Sequence, residues 1–205
     1  MLDVKFTKAV ILINSLVPLA LLLWDAWRQK LGANPTEFAL RTTGFLTLIF
    51  LLITLAITPL RKWTKRNELV KFRRMIGLFA FFYGFLHLTT YIWFDRQLDL
   101  SSAAGDIIQR PFIAVGMTAF FLMVPLAVTS TNGMIKRIGG KRWQQLHKLT
   151  YLTAIGGVLH YYMIVKSDLF YPLAFALVLA VLLGYRVYAA NQKPAAKTKT
   201  LVIPK

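Results

Sequence analysis

The chain has 205 residues, 57% of them hydrophobic, and no cysteine. A water-soluble domain is about 45–50% apolar, so the chain reads as a polytopic membrane protein. The missing thiols exclude disulfides, thiol redox catalysis, cysteine-held iron–sulfur clusters and a covalently attached c-type haem. The net charge of +17 would suggest nucleic acid in a soluble protein. Here the basic residues flank apolar segments, so they read as topology determinants, and no nucleic-acid partner is expected.

Six apolar segments follow one another, each near the roughly 20 residues a bilayer needs. The first spans 9–27; Lys5 and Lys8 precede it, and it ends in the interfacial belt Trp24-Asp25-Ala26-Trp27-Arg28. No small-residue cleavage site follows, so it reads as a retained helix rather than a signal peptide. Leu31 to Pro35 is a loop, with Thr36 as a possible cap. The second segment covers 41–60 and is expected to stop at Pro59. A basic loop, 61–74, leads to the third segment, 75–94. A polar loop with Asp95, Asp99 and Asp106 precedes the fourth, which opens at Pro111 and runs to 129. A second basic loop leads to the fifth segment, 146–165, and the sixth covers 171–190. Residues 191–205 read as a short basic tail. Nineteen of the 25 basic residues fall on the side that holds both termini of a six-helix chain. The positive-inside rule makes that side cytoplasmic. The expected fold is therefore all-α, a six-transmembrane-helix bundle with both termini in the cytoplasm.

Three histidines carry the chemistry. His147 and His160 lie thirteen residues apart in the fifth segment. That is roughly 20 Å along a helix, so one sits near a membrane face and the other well inside. Arg73 and His87, fourteen residues apart, span a similar depth in the third segment. Both segments run outward, so Arg73 pairs in depth with His147 and His87 with His160. Imidazole is a neutral nitrogen ligand for iron, and two across a porphyrin make a six-coordinate b-type haem suited to electron transfer. His87 and His160 fit that role. Guanidinium has no free lone pair, so at the inner level His147 is the expected ligand and Arg73 or Arg74 would hold propionates. On an ideal helix His147 and His160 are about 140° apart, which helix tilt, an irregularity near Gly156-Gly157 or a place for His147 in the loose first turn must absorb. Gly77, Gly84, Gly156 and Gly157 could admit a flat macrocycle or simply pack helices. His87 and His160 could instead be interhelical hydrogen bonders, His147 a solvated interfacial residue, and the arginines topology charges. Asp25 is the only acid expected to be buried. No dinucleotide or P-loop motif is present, so electrons must come from a partner or a membrane quinol.

Six helices with histidines spaced this way resemble the ferric-reductase-like transmembrane superfamily. The stretches Leu31-Gly-Ala-Asn-Pro35, Ile57-Thr-Pro-Leu-Arg61, Arg73-Arg-Met-Ile-Gly-Leu, Leu86-His-Leu-Thr89, Arg110-Pro111, Leu126-Ala-Val-Thr-Ser-Thr131 and Gly140-Lys-Arg-Trp-Gln-Gln-Leu-His147 are similar, more narrowly, to the haem-binding membrane subunits of periplasmic protein-methionine-sulfoxide reductases. The resemblance implies one or two b-type haems at His87, His147 and His160, with Arg73 beside the inner one, in a 1–190 haem-binding domain. It implies a bacterial inner-membrane location and a periplasmic molybdopterin-containing methionine-sulfoxide reductase partner. The donor would be the quinone pool or a cytosolic flavin reductase. Flavin mononucleotide (FMN) is also implied, with no residue here marking its site. A self-standing ferric-chelate or oxygen reductase, and a non-redox transporter or scaffold, are the competing functions.

Overall fold

The computed structural model describes residues 3–192, and all regular structure among them is helical. The positions of the proposed tail beyond 192 lie outside the described residues. Helix α1 (Val4–Trp27) begins under Asp3, whose carboxylate accepts from the Lys5 and Phe6 N–H groups at 2.8 and 3.2 Å. Helix α2 (Pro35–Thr64) has Pro35 in its first turn and is capped by Asn34, two residues before the expected cap Thr36. It runs through Pro59 to Thr64 instead of stopping there. Helix α3 (Val70–Thr90) continues into a π-helical turn, Tyr91–Asp95.

The two polar loops are helical too. The loop between the third and fourth apolar segments holds α4 (Leu100–Gln109), capped by Asp99. The N–H of Ser102 and the groups of Ser101 hold the Asp99 carboxyl below its ordinary range. Helix α5 (Pro111–Val128) follows with proline at its first position. The inner basic loop holds α6 (Asn132–Ile138) and α7 (Gly140–Leu146). They are joined at Gly139, whose φ of 85° lies where a side chain would be strained. Helix α8 (Leu149–Ile164) and α9 (Phe170–Asn191) complete the chain.

Five helices are long and apolar enough to cross a membrane: α1, α2, α3 with its π turn, α5 and α9. Helix α8 has 16 residues, about 24 Å, somewhat under a hydrocarbon thickness of about 30 Å. Only 11% of the apolar windows of α1 and α9 is buried, which leaves most of their surface for lipid.

The bundle is built from two helix pairs, α2 with α3 and α5 with α8. Helix α2 is central. Its Phe50 stacks on Phe79 and Tyr83 of α3, and its Leu48, Leu52 and Leu55 pack with Ala154 and Val158 of α8 and Leu179 of α9. Lipid tails are as apolar as leucine, so close packing rather than water exclusion holds such helices. The glycines show this. An added Cβ at Gly157 would lie 2.8 Å from Leu48, one at Gly156 3.1 Å from Ala119, and one at Gly84 3.5 Å from Phe120 and Thr47. One at Gly77 would touch Thr54 at 3.7 Å. Of the two uses open to these four glycines, the structure shows helix packing.

Candidate functional site

The two helix pairs meet at a pair of imidazoles. His87 projects from α3 and His160 from α8, with ring centroids 6.1 Å apart and planes at 85°. Each ring is held by the partner of its own helix. His87 Nδ1–H donates to the Leu40 carbonyl of α2 at 2.9 Å, with Thr43 Oγ1 3.4 Å away. His160 Nδ1–H donates to the Phe112 carbonyl of α5 at 2.6 Å. Four residues on from each carbonyl is a glycine against the same ring. A Cβ at Gly44 would lie 3.2 Å from His87, and one at Gly116 2.6 Å from His160 Nδ1. One device, a helix carbonyl followed at i+4 by glycine, thus seats both histidines.

That device has a chemical consequence. Committing Nδ1–H to a carbonyl leaves Nε2 as the nitrogen with a lone pair, the usual state of a metal-binding histidine. Two metal–nitrogen bonds of about 2 Å, plus the two half-rings, put imidazole centroids about 6 Å apart, which matches the observed spacing. No group of three or more metal-ligating side chains occurs among the described residues. The pair therefore suits a metal that brings its remaining ligands with it, as porphyrin iron does.

The outer end of the bundle fixes the backbone on either side of this pair. Asp106 of α4 is buried and gathers three groups. Tyr91 OH donates to it at 2.6 Å, Arg96 pairs at 2.7 Å and Arg110 at 3.2 Å. Tyr91 lies one turn beyond His87. Arg110 lies two residues before Phe112. The network so ties the end of the helix that carries His87 to the start of the one whose Phe112 carbonyl holds His160. Asp25 is only partly buried, so Asp106 is the acid the fold encloses.

His147 is placed differently. It is not on the same helix as His160: the chain breaks between α7 and α8 at His147–Lys148. This break puts His147 outside the regular helix, which absorbs the angular spacing. Its Nε2–H donates to Thr129 Oγ1 at 3.2 Å, while the Thr129 hydroxyl gives its proton to the Pro125 carbonyl at 2.6 Å. Trp143 donates to the Thr129 carbonyl at 2.9 Å and lies over the His147 ring, centroids 3.8 Å apart. Thr129, read from sequence as a helix terminus, is one, and it is also the hub of this contact.

Arg73 lies near enough for its charge to act on His147. Its own charged neighbours are Arg186 and Arg61, with Tyr151 beside them. Arg186 spreads over the Tyr151 ring at 5.3 Å and donates to the Leu55 carbonyl at 2.6 Å and the Leu182 carbonyl at 3.0 Å. Arg74 turns away from this group and donates to Asn132 Oδ1 at 2.6 Å, tying α3 to α6. Sequence reasoning did not single out Gly44, Gly116, Thr43, Tyr151 or Arg186 for the site. Glycines inside apolar helices were the available signal for the first two.

Comparison with known proteins agrees with this architecture. Residues 43–158 match the family described as ferric reductase like transmembrane component, a stretch that includes His87 and His147. The chain is 51% identical to the protein-methionine-sulfoxide reductase heme-binding subunit MsrQ of Herminiimonas arsenicoxydans, over 91% of this chain and 86% of that protein. It is 50% identical to the protein of the same name from Azospira oryzae, over 88% and 78% of the two chains. It is 48% identical to that from Ralstonia nicotianae, over 92% and 89%. With a paired-helix bundle, histidines facing across the pairs and identity of this extent, the chain belongs to the MsrQ family within the ferric-reductase-like transmembrane proteins.

Proposed function

We propose that this chain holds a b-type haem between His87 and His160. It relays electrons across the bacterial inner membrane to a periplasmic molybdopterin-containing reductase that repairs methionine sulfoxide in proteins. The observation that carries this reading is the pair of imidazoles 6.1 Å apart, each with Nδ1 committed to a backbone carbonyl. A six-coordinate haem exchanges single electrons and leaves no open position for a substrate. The residues around it do the rest. The carbonyls of Leu40 and Phe112 keep both rings in the ligating tautomer. Gly44 and Gly116 let the rings sit close against the helices. The Asp106 network restrains the helix ends, so little rearrangement accompanies a change of charge.

Six spans, with α8 as the short one and both termini in the cytoplasm, complete the proposal. The excess of basic residues on one side supports it. A second, inner haem would use His147, with Arg73 supplying positive charge for its propionates. To ligate through Nε2 there, the His147 ring has to leave Thr129. The quinone pool or a cytosolic flavin reductase is the donor in this reading, and the basic inner loops offer charge to the phosphate of FMN.

Absorption spectroscopy of the purified chain tests the core of the proposal. The expected result is a sharp Soret and α band on reduction, lost in His87→Ala and His160→Ala. A folded, colourless protein from haem-replete cells would overturn it. Electron flow measured with and without the reductase partner separates the relay from a self-standing ferric-chelate or oxygen reductase, which turns over alone.

A further inference from the structure

Between α2 and α9 lies a groove of about 550 Å³. Ala56, Leu60 and Leu182 form its apolar wall. Lys62, Trp63 and Tyr185 form its mouth at the end of both helices. The Lys62 ammonium is held over the Tyr185 ring at 5.8 Å, and Trp63 is 82% exposed. The flanking residues Arg61, Lys65 and Arg66 are all basic. At the deep end Arg186 ties α9 to the Leu55 carbonyl of α2, which fixes the width of the seam.

An open apolar groove with an ammonium and an exposed indole at one end matches one ligand class in character and charge. We infer that this groove binds an anionic phospholipid, with an acyl chain against Ala56, Leu60 and Leu182 and the phosphate at Lys62. Three features favour a lipid over a neutral quinone. The cationic residues concentrate at the mouth. The side is the one where anionic headgroups meet basic helix ends. Trp63 stands in the basic run at the end of the apolar segment, where interfacial tryptophans are enriched. The groove is lined by neither His87 nor His160.

The test is binding of phosphatidylglycerol or phosphatidylcholine to the purified full chain in detergent, read by native mass spectrometry and by thermal melting. The expected result is retention of phosphatidylglycerol over phosphatidylcholine. Lys62→Gln should weaken it about fivefold, the loss for one lysine at the membrane surface. Filling the slot with Ala56→Phe should lower binding further, while Lys8→Gln, a basic residue on another helix, should leave it unchanged. Equal retention of both lipids, undiminished binding in both groove variants, or displacement of the lipid by a short-chain quinone would each overturn the assignment. If Ala56→Phe does not fold, Lys62→Gln and Lys62→Glu decide alone, with the charge reversal expected to weaken phosphatidylglycerol most.

Discussion

The two ends of the bundle use the same residue type in opposite ways. At the outer level two histidines from different helix pairs face each other, and both commit Nδ1 to a carbonyl. At the other level a single histidine turns Nε2 toward Thr129 and has the charge of Arg73 nearby instead of a second imidazole. The facing pair has both Nδ1 atoms committed to backbone carbonyls, which leaves both Nε2 atoms free of them. The inner histidine is a structural bond between α5 and the α7–α8 junction, and it has to give that bond up to become a ligand through Nε2. What differs is which ring nitrogen the backbone captures, and that depends on what the neighbouring helix presents: a carbonyl with a glycine one turn on, or a threonine hydroxyl.

The largest effect that could break this contrast is on the ligands. His87→Ala and His160→Ala should each abolish the absorption of the outer haem, while His147→Ala should leave it in place. Loss of all signal in His147→Ala would mean that the two levels are one site. Next is the clamp on the outer end. Asp106→Asn removes the carboxylate shared by Arg96 and Arg110; Arg96 keeps Asp95 and Arg110 is half-exposed, so the loss is that of charged hydrogen bonds, about 1.5–3 kcal/mol. A thermal melt in detergent should register it as a clear fall, with weaker haem retention.

The glycine seats should separate by their clearances. Gly116→Ala brings a Cβ to 2.6 Å from His160 Nδ1, so overpacking of about 1–3 kcal/mol is expected. It should appear as a disturbed low-spin spectrum. Gly44→Ala, at 3.2 Å, should do the same to a smaller degree. The smallest effect belongs to the inner level. Thr129→Val removes the acceptor for His147, worth about 1 kcal/mol for one hydrogen bond. The outer spectrum should not change. If His147 is also a ligand, its freed Nε2 should raise occupancy of an inner haem, seen as a second redox step in a potentiometric titration.

Much of this bundle could be read from the chain itself. The apolar runs located α1, α2, α3, α5 and α9 because a bilayer forces a long uninterrupted hydrophobic stretch on any helix that crosses it. Pro59 misled the end of α2. Proline weakens a helix, yet the chain runs on helically to Thr64. Helices α4, α6 and α7 went unseen because polar, capped segments of 7–10 residues look like loops by composition. The depth pairing of His87 with His160 followed from counting residues along two outward-running helices. Asp25 and Asp106 could not be ranked, since burial of a carboxylate depends on partners brought from other parts of the chain.

The sequence by itself determined that this is an all-helical membrane protein with its histidines at two levels, because hydropathy and the 1.5 Å rise are local properties. Only the tertiary structure decided which histidines meet and which nitrogen each one offers. Those depend on the carbonyls of Leu40 and Phe112, on Gly44 and Gly116, and on Thr129, all of them contributed by a different helix from the imidazole they hold. A hydrogen bond between helices is set by how close and at what register they pack, and that register is written in no single segment.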